Sequence, residues 1–179
     1  MQDWNVVVSV SPQHYHQAMK LLKEFGEVQH TGFFNIVVMR VADVDIFLDQ
    51  LHRLVGEIPL NRQAVSRVMP ITTGFTFQDP QAFEEKARQA VAGWAAQLRD
   101  KSFHVRMRRR GFKGRLSSLD EEQFLDHFLL EQVRMAGGES RIDFADPELI
   151  IAVETLGQRA GVSLWNREQL QRYPLVRID

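Results

Sequence analysis

Apolar residues along the chain switch between strand-like and helix-like spacing several times, and each switch marks an element. Asn5-Val6-Val7-Val8-Ser9-Val10 is a β-branched run with the composition of a buried strand. Ser11-Pro12 opens a helix with Ser11 as cap, on which Tyr15, Ala18, Met19 and Leu22 recur until Gly26. Residues 28–31 and 33–41 read as extended stretches around Gly32. Asp43 then caps a helix with the stripe Val44, Phe47, Leu48, Leu51, Val55, which Gly56 closes. The order βαββα lacks one strand to be a ferredoxin-like unit, and residues 65–71 can supply it. The break at residues 59–63 is the expected boundary, giving domains 1–60 and 61–179.

Beyond it, Asp79-Pro80 starts a helix with Phe83, Ala87, Ala90, Val91, Trp94 and Leu98 on one face. Phe103-His104-Val105-Arg106-Met107-Arg108 alternates strictly, so one face packs while His104, Arg106 and Arg108 make the other wet and cationic. Ser118-x-x-Glu121 has the form of a capping box for a helix carrying Leu125, Phe128 and Leu129 that ends at Gly137-Gly138. Strands at 140–144 and 149–154 flank an Asp146-Pro147 turn; 161–165 reads as a further strand and 167–173 as a short helix. The fold class is α+β, in two small units.

Composition narrows the function. There is no Cys among the 179 residues, which excludes disulfide scaffolds, thiolate metal centres and cysteine nucleophiles and suits a reducing, cytoplasmic location. No apolar run reaches the roughly 18 residues that span a bilayer, so no membrane association is expected. The net charge of −1 hides an uneven distribution. Residues 101–119 hold seven of the 22 basic residues and no acidic one, which leaves 15 against 23, or −8, elsewhere.

That basic stretch is the strongest chemical signal. Arg106 and Arg108 share a face, and Arg109, Arg110, Lys113 and Arg115 continue through a turn with Gly111 and Gly114. Guanidinium groups bind phosphate bidentately, and Phe112 adds a ring on which an unpaired base can stack, although core packing is its commoner use. Cations crowded together without acidic neighbours repel one another, which a polyanion relieves.

Familiar catalytic patterns are missing: G-x-G-x-x-G, the P-loop, G-x-S-x-G and H-E-x-x-H do not occur. His14 and His16, two apart on a helix, point to different sides and do not chelate a metal. No cofactor or metal is expected. The acidic pairs Asp43/Asp45, Glu84/Glu85 and Glu121/Glu122 stand near helix starts, where the macrodipole favours them, and Trp4, Trp94 and Trp165 are assigned to packing.

The segment Ser66-Arg67-Val68-Met69-Pro70-Ile71, the amphipathic helix, the Phe103 to Gly111 strand and loop, the helix after Ser118, and Asp143-Phe144-Ala145-Asp146-Pro147-Glu148-Leu149-Ile150-Ile151-Ala152-Val153-Glu154 together resemble the THUMP domain. The N-terminal βαββα segment resembles the ferredoxin-like domain that precedes it, so the likeness covers essentially the whole chain. The Arg67 segment is most similar to the stand-alone adaptor that assists tRNA cytidine acetylation. The resemblance implies binding of tRNA at the acceptor stem and unpaired 3′ CCA end, in service of a modifying enzyme. With no catalytic domain between here and Asp179, it implies a non-enzyme that presents tRNA to a separate enzyme. The expected RNA-binding residues are Arg67, Arg106, Arg108, Arg109, Arg110, Phe112, Lys113 and Arg115. Two other readings stay open: a small RNA- or nucleotide-acting enzyme using His104 or His127, and a protein-interaction or ligand-binding module.

Overall fold

A computed structural model describes residues 3–178, which form two compact units. The first runs to Ile71 and takes back Leu170–Arg177; the second is Thr72–Gln169.

In the first unit, β1 (Val6–Val10) is buried along most of its length, with Val6, Val7 and Val8 at 0% exposure. A short 3-10 turn (Pro12–His14) leads into α1 (Tyr15–Leu22). Ser11 makes no side-chain cap, and the helix stops at Leu22 because residues from Gly26 onward belong to a strand. β2 (Gly26–His30) and β3 (Ile36–Val41) pair antiparallel around a turn at residues 31–35. α2 (Val44–Glu57) begins where Asp43 accepts the Ile46 N–H at 2.9 Å. It runs through Gly56, and α3 (Pro59–Ala64) follows.

β4 (Val65–Pro70) pairs antiparallel with β1, giving the order β2-β3-β1-β4 of a ferredoxin-like sheet. The expected division at 60/61 therefore falls inside α3, and the strand after it completes the first unit. The free edge of β4 is met by the returning C-terminal segment, where the Val68 N–H donates to the Leu175 carbonyl at 2.9 Å.

The second unit is a five-stranded sheet, β5-β9-β8-β6-β7, built from β5 (Thr73–Thr76), β6 (Ser102–Arg108), β7 (Arg141–Ile142), β8 (Leu149–Leu156) and β9 (Arg159–Asn166). β6 is parallel to both β7 and β8. α4 (Pro80–Val91) is capped by Asp79, which accepts the Ala82 N–H at 2.8 Å. The expected single helix breaks after Val91 into a 3-10 turn (Ala92–Trp94), which contains Gly93, and α5 (Ala95–Leu98).

α6 (Ser118–Met135) is capped by Ser117 rather than Ser118: the Ser117 hydroxyl accepts the Asp120 N–H, one residue earlier than the capping-box pattern suggests. It ends in a Schellman turn, with Gly137 at φ +79° and the Gly138 N–H bonded to the Val133 carbonyl. Phe83, Ala87 and Val91 of α4 and Leu125, Leu129 and Val133 of α6 share one core with Phe103, Val105, Ile151 and Val153 of the sheet. α7 (Arg167–Arg172) closes the chain before Tyr173.

Candidate nucleic-acid interface

β6 has a neighbour on one side throughout but on the other only at its start, where β7 covers Ser102 and Phe103. From Val105 onward, alternate N–H groups would face solvent or an unpaired interior, which costs about 1–3 kcal/mol each if buried. Two carboxylates of α6 meet them. Asp126 Oδ1 accepts the Val105 N–H at 2.9 Å and Glu122 Oε1 accepts the Met107 N–H at 2.7 Å. Four residues of helix rise about 6 Å and two of strand about 6.7 Å, so the spacings match. The acidic residues of α6 are thus partly committed to a strand edge, a use beyond helix-start electrostatics that the expectation for Glu121/Glu122 did not include.

The other oxygen of Asp126 binds His104 Nδ1 at 3.0 Å. His104 is 4% exposed and not on a wet face, because this partner draws it inward. Its ring meets that of Phe144 edge-on, with centroids 4.5 Å apart.

Past His104 the outward face is cationic, but its members differ in what they can offer. Arg106, Arg108, Lys113 and Arg115 are exposed. Arg106 lies 3.9 Å from Glu122, and Arg108 stands opposite Glu154 in the ladder. Arg109 is half-buried and donates to the carbonyl of Gly111. Arg110 departs from expectation: its side chain is only 12% exposed and pairs at 2.7 Å with Glu154, itself 1% exposed. Its backbone is bonded to Thr155 and Gly157, so the chain after β6 stays fastened to the β8–β9 turn and carries the side chain inward.

Phe112 is likewise no free platform. It adopts φ +51°, packs on Phe77 with centroids 5.1 Å apart, and carries the Arg115 guanidinium over its ring at 4.8 Å. Arg67 belongs to the first unit, is 6% exposed, and donates from Nε to the Arg177 carbonyl at 2.8 Å; it fastens the C-terminal segment and is not presented to a phosphate.

Beside the loop, Arg109, Gly114 and Arg115 line a cleft of about 690 Å³ together with Glu84 of α4 and Ser117, Asp120 and Glu121 at the start of α6. Glu121 is pushed up to about 7, chiefly by burial and further by Glu84 and Asp120, so at neutral pH the cleft is less acidic than its composition. Phe144, expected at the end of a strand over 140–144, lies instead in the turn after β7, which stops at Ile142, and is 73% exposed.

No protein-family model and no curated protein matches the chain. Solved structures do. The crystal structure of PH1313 from Pyrococcus horikoshii Ot3 superposes with a TM-score of 0.61 at 12% identity, covering 92% of this chain and 55% of that one. A 4-thiouridine synthetase in complex with RNA and ATP gives 0.56 at 13%, covering 92% and 42%. TrmN from Thermus thermophilus gives 0.58 at 16%, covering 90% and 45%. The fold is THUMP-like. A ferredoxin-like unit is followed by a THUMP-like α/β unit, and the chain spans about half the length of the structures it matches. The cationic strand, its loop and the α6 cleft all belong to the THUMP-like unit.

Proposed function

We propose that this protein binds RNA through the outward face of β6 and the loop that follows, recognising the acceptor stem and 3′ CCA end of tRNA, and that it presents tRNA to a separate modifying enzyme without itself being one. The observation that carries the reading is the row of exposed cations, Arg106, Arg108, Lys113 and Arg115, on one strand and loop of a THUMP-like unit in a chain whose net charge is −1. A-form stems are bound through shape, phosphates and 2′-hydroxyls, so a cationic strip needs no base code to serve. The 4-thiouridine synthetase of similar fold was solved with RNA, which supports the same substrate class here.

That likeness also favours a second reading, in which the chain is itself a small RNA-acting enzyme using His104 or His127. It is separable by assaying the protein for turnover on tRNA: modification or cleavage of tRNA, lost in His104→Ala or His127→Ala, would replace the adaptor reading. Among the described residues no helix is long and apolar enough to cross a membrane. A cytoplasmic site of action goes with the tRNA reading.

The direct test is fluorescence anisotropy with tRNA and with the same tRNA lacking CCA, at two salt concentrations fourfold apart. Four phosphate contacts cost about two decades of affinity over such an interval. Tight, salt-steep binding that weakens on CCA removal supports the reading; binding no better than to an unstructured RNA of equal length ends it.

A further inference from the structure

Large apolar side chains exposed on a soluble unit are ordinary when they sit on mobile or featureless surface. Phe144 does not. Its loop is held on both sides: Asp143 accepts the N–H groups of Ala145 and Asp146 at 2.9 and 3.0 Å, and Arg167 grips Asp146, with Nε 3.1 Å from Oδ1 and Nη2 3.0 Å from Oδ2. The two backbone hydrogen bonds also hold the Asp143 carboxyl below its ordinary value.

The structure therefore keeps a phenyl ring 73% exposed on a braced turn, at the N-terminal end of the cationic strand. Phe34 is more exposed still but belongs to the ferredoxin-like unit. Phe144 adjoins His104, and Arg106 and Arg108 follow His104 on the same face at about 7 and 13 Å along the strand. His104, only 4% exposed, backs the ring from below and fixes its edge, so the outer face of Phe144 is the one left to a ligand.

Resting on the RNA-binding reading above, we propose that Phe144 is a stacking platform for one unpaired base, whose adjoining phosphates meet Arg106 and Arg108. The occupant is a single-stranded nucleotide rather than an apolar peptide, because the strand that the ring adjoins continues outward in the exposed cations Arg106 and Arg108 and not in apolar residues. Flat π-faces are sequence-tolerant, so the platform senses that a base is unpaired and not which base it is. Phe144 thereby takes the role that Phe112 cannot fill.

The test compares the full chain with Phe144→Ala, Phe144→Leu and Phe144→Trp on two probes: an acceptor-stem RNA duplex with a four-nucleotide 3′ overhang and the same duplex blunt. Removing a stacking ring costs roughly 5- to 100-fold in affinity. Phe144→Ala and Phe144→Leu are expected to lose that factor on the overhang probe and nothing on the blunt one. Leucine keeps an apolar cover over His104, so its failure isolates the ring face, and unchanged melting temperatures show that the fold is intact. Phe144→Trp is expected to hold affinity, with its added emission quenched by the overhang probe alone. If wild type binds the overhang probe tightly and Phe144→Ala binds it equally well, the platform is overturned while the RNA reading stands. If wild type binds neither probe, both fall together.

Discussion

Arginines that look alike in the sequence divide according to what their carboxylate neighbours do. Glu154 is almost fully buried and pairs with Arg110, and breaking a buried pair by removing one partner costs about 3–5 kcal/mol. Arg110→Ala is expected to lower the melting temperature by roughly 6–20 °C, at 2–4 °C per kcal/mol for a chain of this size, whereas Lys113→Ala leaves it unchanged. RNA binding reverses the order. Lys113→Ala weakens binding to all RNAs about equally and lowers the salt slope by about one, which anisotropy titrations at several salt concentrations would read directly. Glu121 makes a pH-dependent case in the opposite sense. Its carboxyl is raised from an ordinary 4.5 to about 7, first by burial and then by Glu84 and Asp120. Below 4.5 both folded and unfolded chains hold the proton; between 4.5 and 7 only the folded chain does, so this group erodes stability as pH rises and its full cost is present above about 7. Glu121→Gln should therefore raise the melting temperature at pH 8 and leave it nearly unchanged at pH 4, and a shift of equal size at both would exclude ionisation as the cause.

At the scale of elements, local pattern was legible and long-range pairing was not. The alternation of Phe103, Val105 and Met107, the Asp43 and Asp79 caps and the glycine stop of α6 need only neighbours a few residues away, and each stands as read. The burial of His104 needs Asp126, 22 residues later, and that of Arg110 needs Glu154, 44 residues later. Spacing on one segment cannot show a partner on another, so the exposed half of the site was visible as a charge run while its buried half was counted with it. The same long-range pairing gives α6 a second duty, covering the edge of β6. Asp126→Ala removes the acceptor of the Val105 N–H and the partner of His104 together, stranding two buried donors at about 1–3 kcal/mol each. Its signature in amide exchange is local: the Val105 amide loses protection ahead of Ile151 and Val153 in the neighbouring β8. Uniform loss across the sheet would mean that the carboxylate stabilises the unit without guarding that edge.

For the whole molecule, the element that most resists reading from sequence is the tail, because its partners lie more than a hundred residues upstream. Residues after Gln169 return to the ferredoxin-like unit: Arg172 and Tyr173 both bind Asp49 of α2, at 2.9 and 2.5 Å, Leu175 takes the Val68 N–H, and Arg177 takes Arg67 Nε. Tyr173 and Val176 are buried as a result. The first unit is thus closed by a segment made after the second, and β4 would otherwise show a bare edge. Deleting residues 170–179 should speed amide exchange in β1 and β4 and leave β8 and β9 protected; equal loss in both units would show that they unfold as one. A milder change resolves the polar anchor. The Tyr173 hydroxyl, ahead of Arg172, holds the Asp49 carboxyl below its ordinary 3.8, while burial and Asp49 push Tyr173 itself up to about 12. A carboxylate lowered in the folded state stabilises above its unfolded value and loses that contribution as pH falls through its folded one. Tyr173→Phe is therefore expected to lower the melting temperature at pH 7, with a deficit that shrinks as pH drops below 3.8. A deficit of the same size at pH 7 and well below pH 3.8 would exclude the Asp49 carboxylate as its cause.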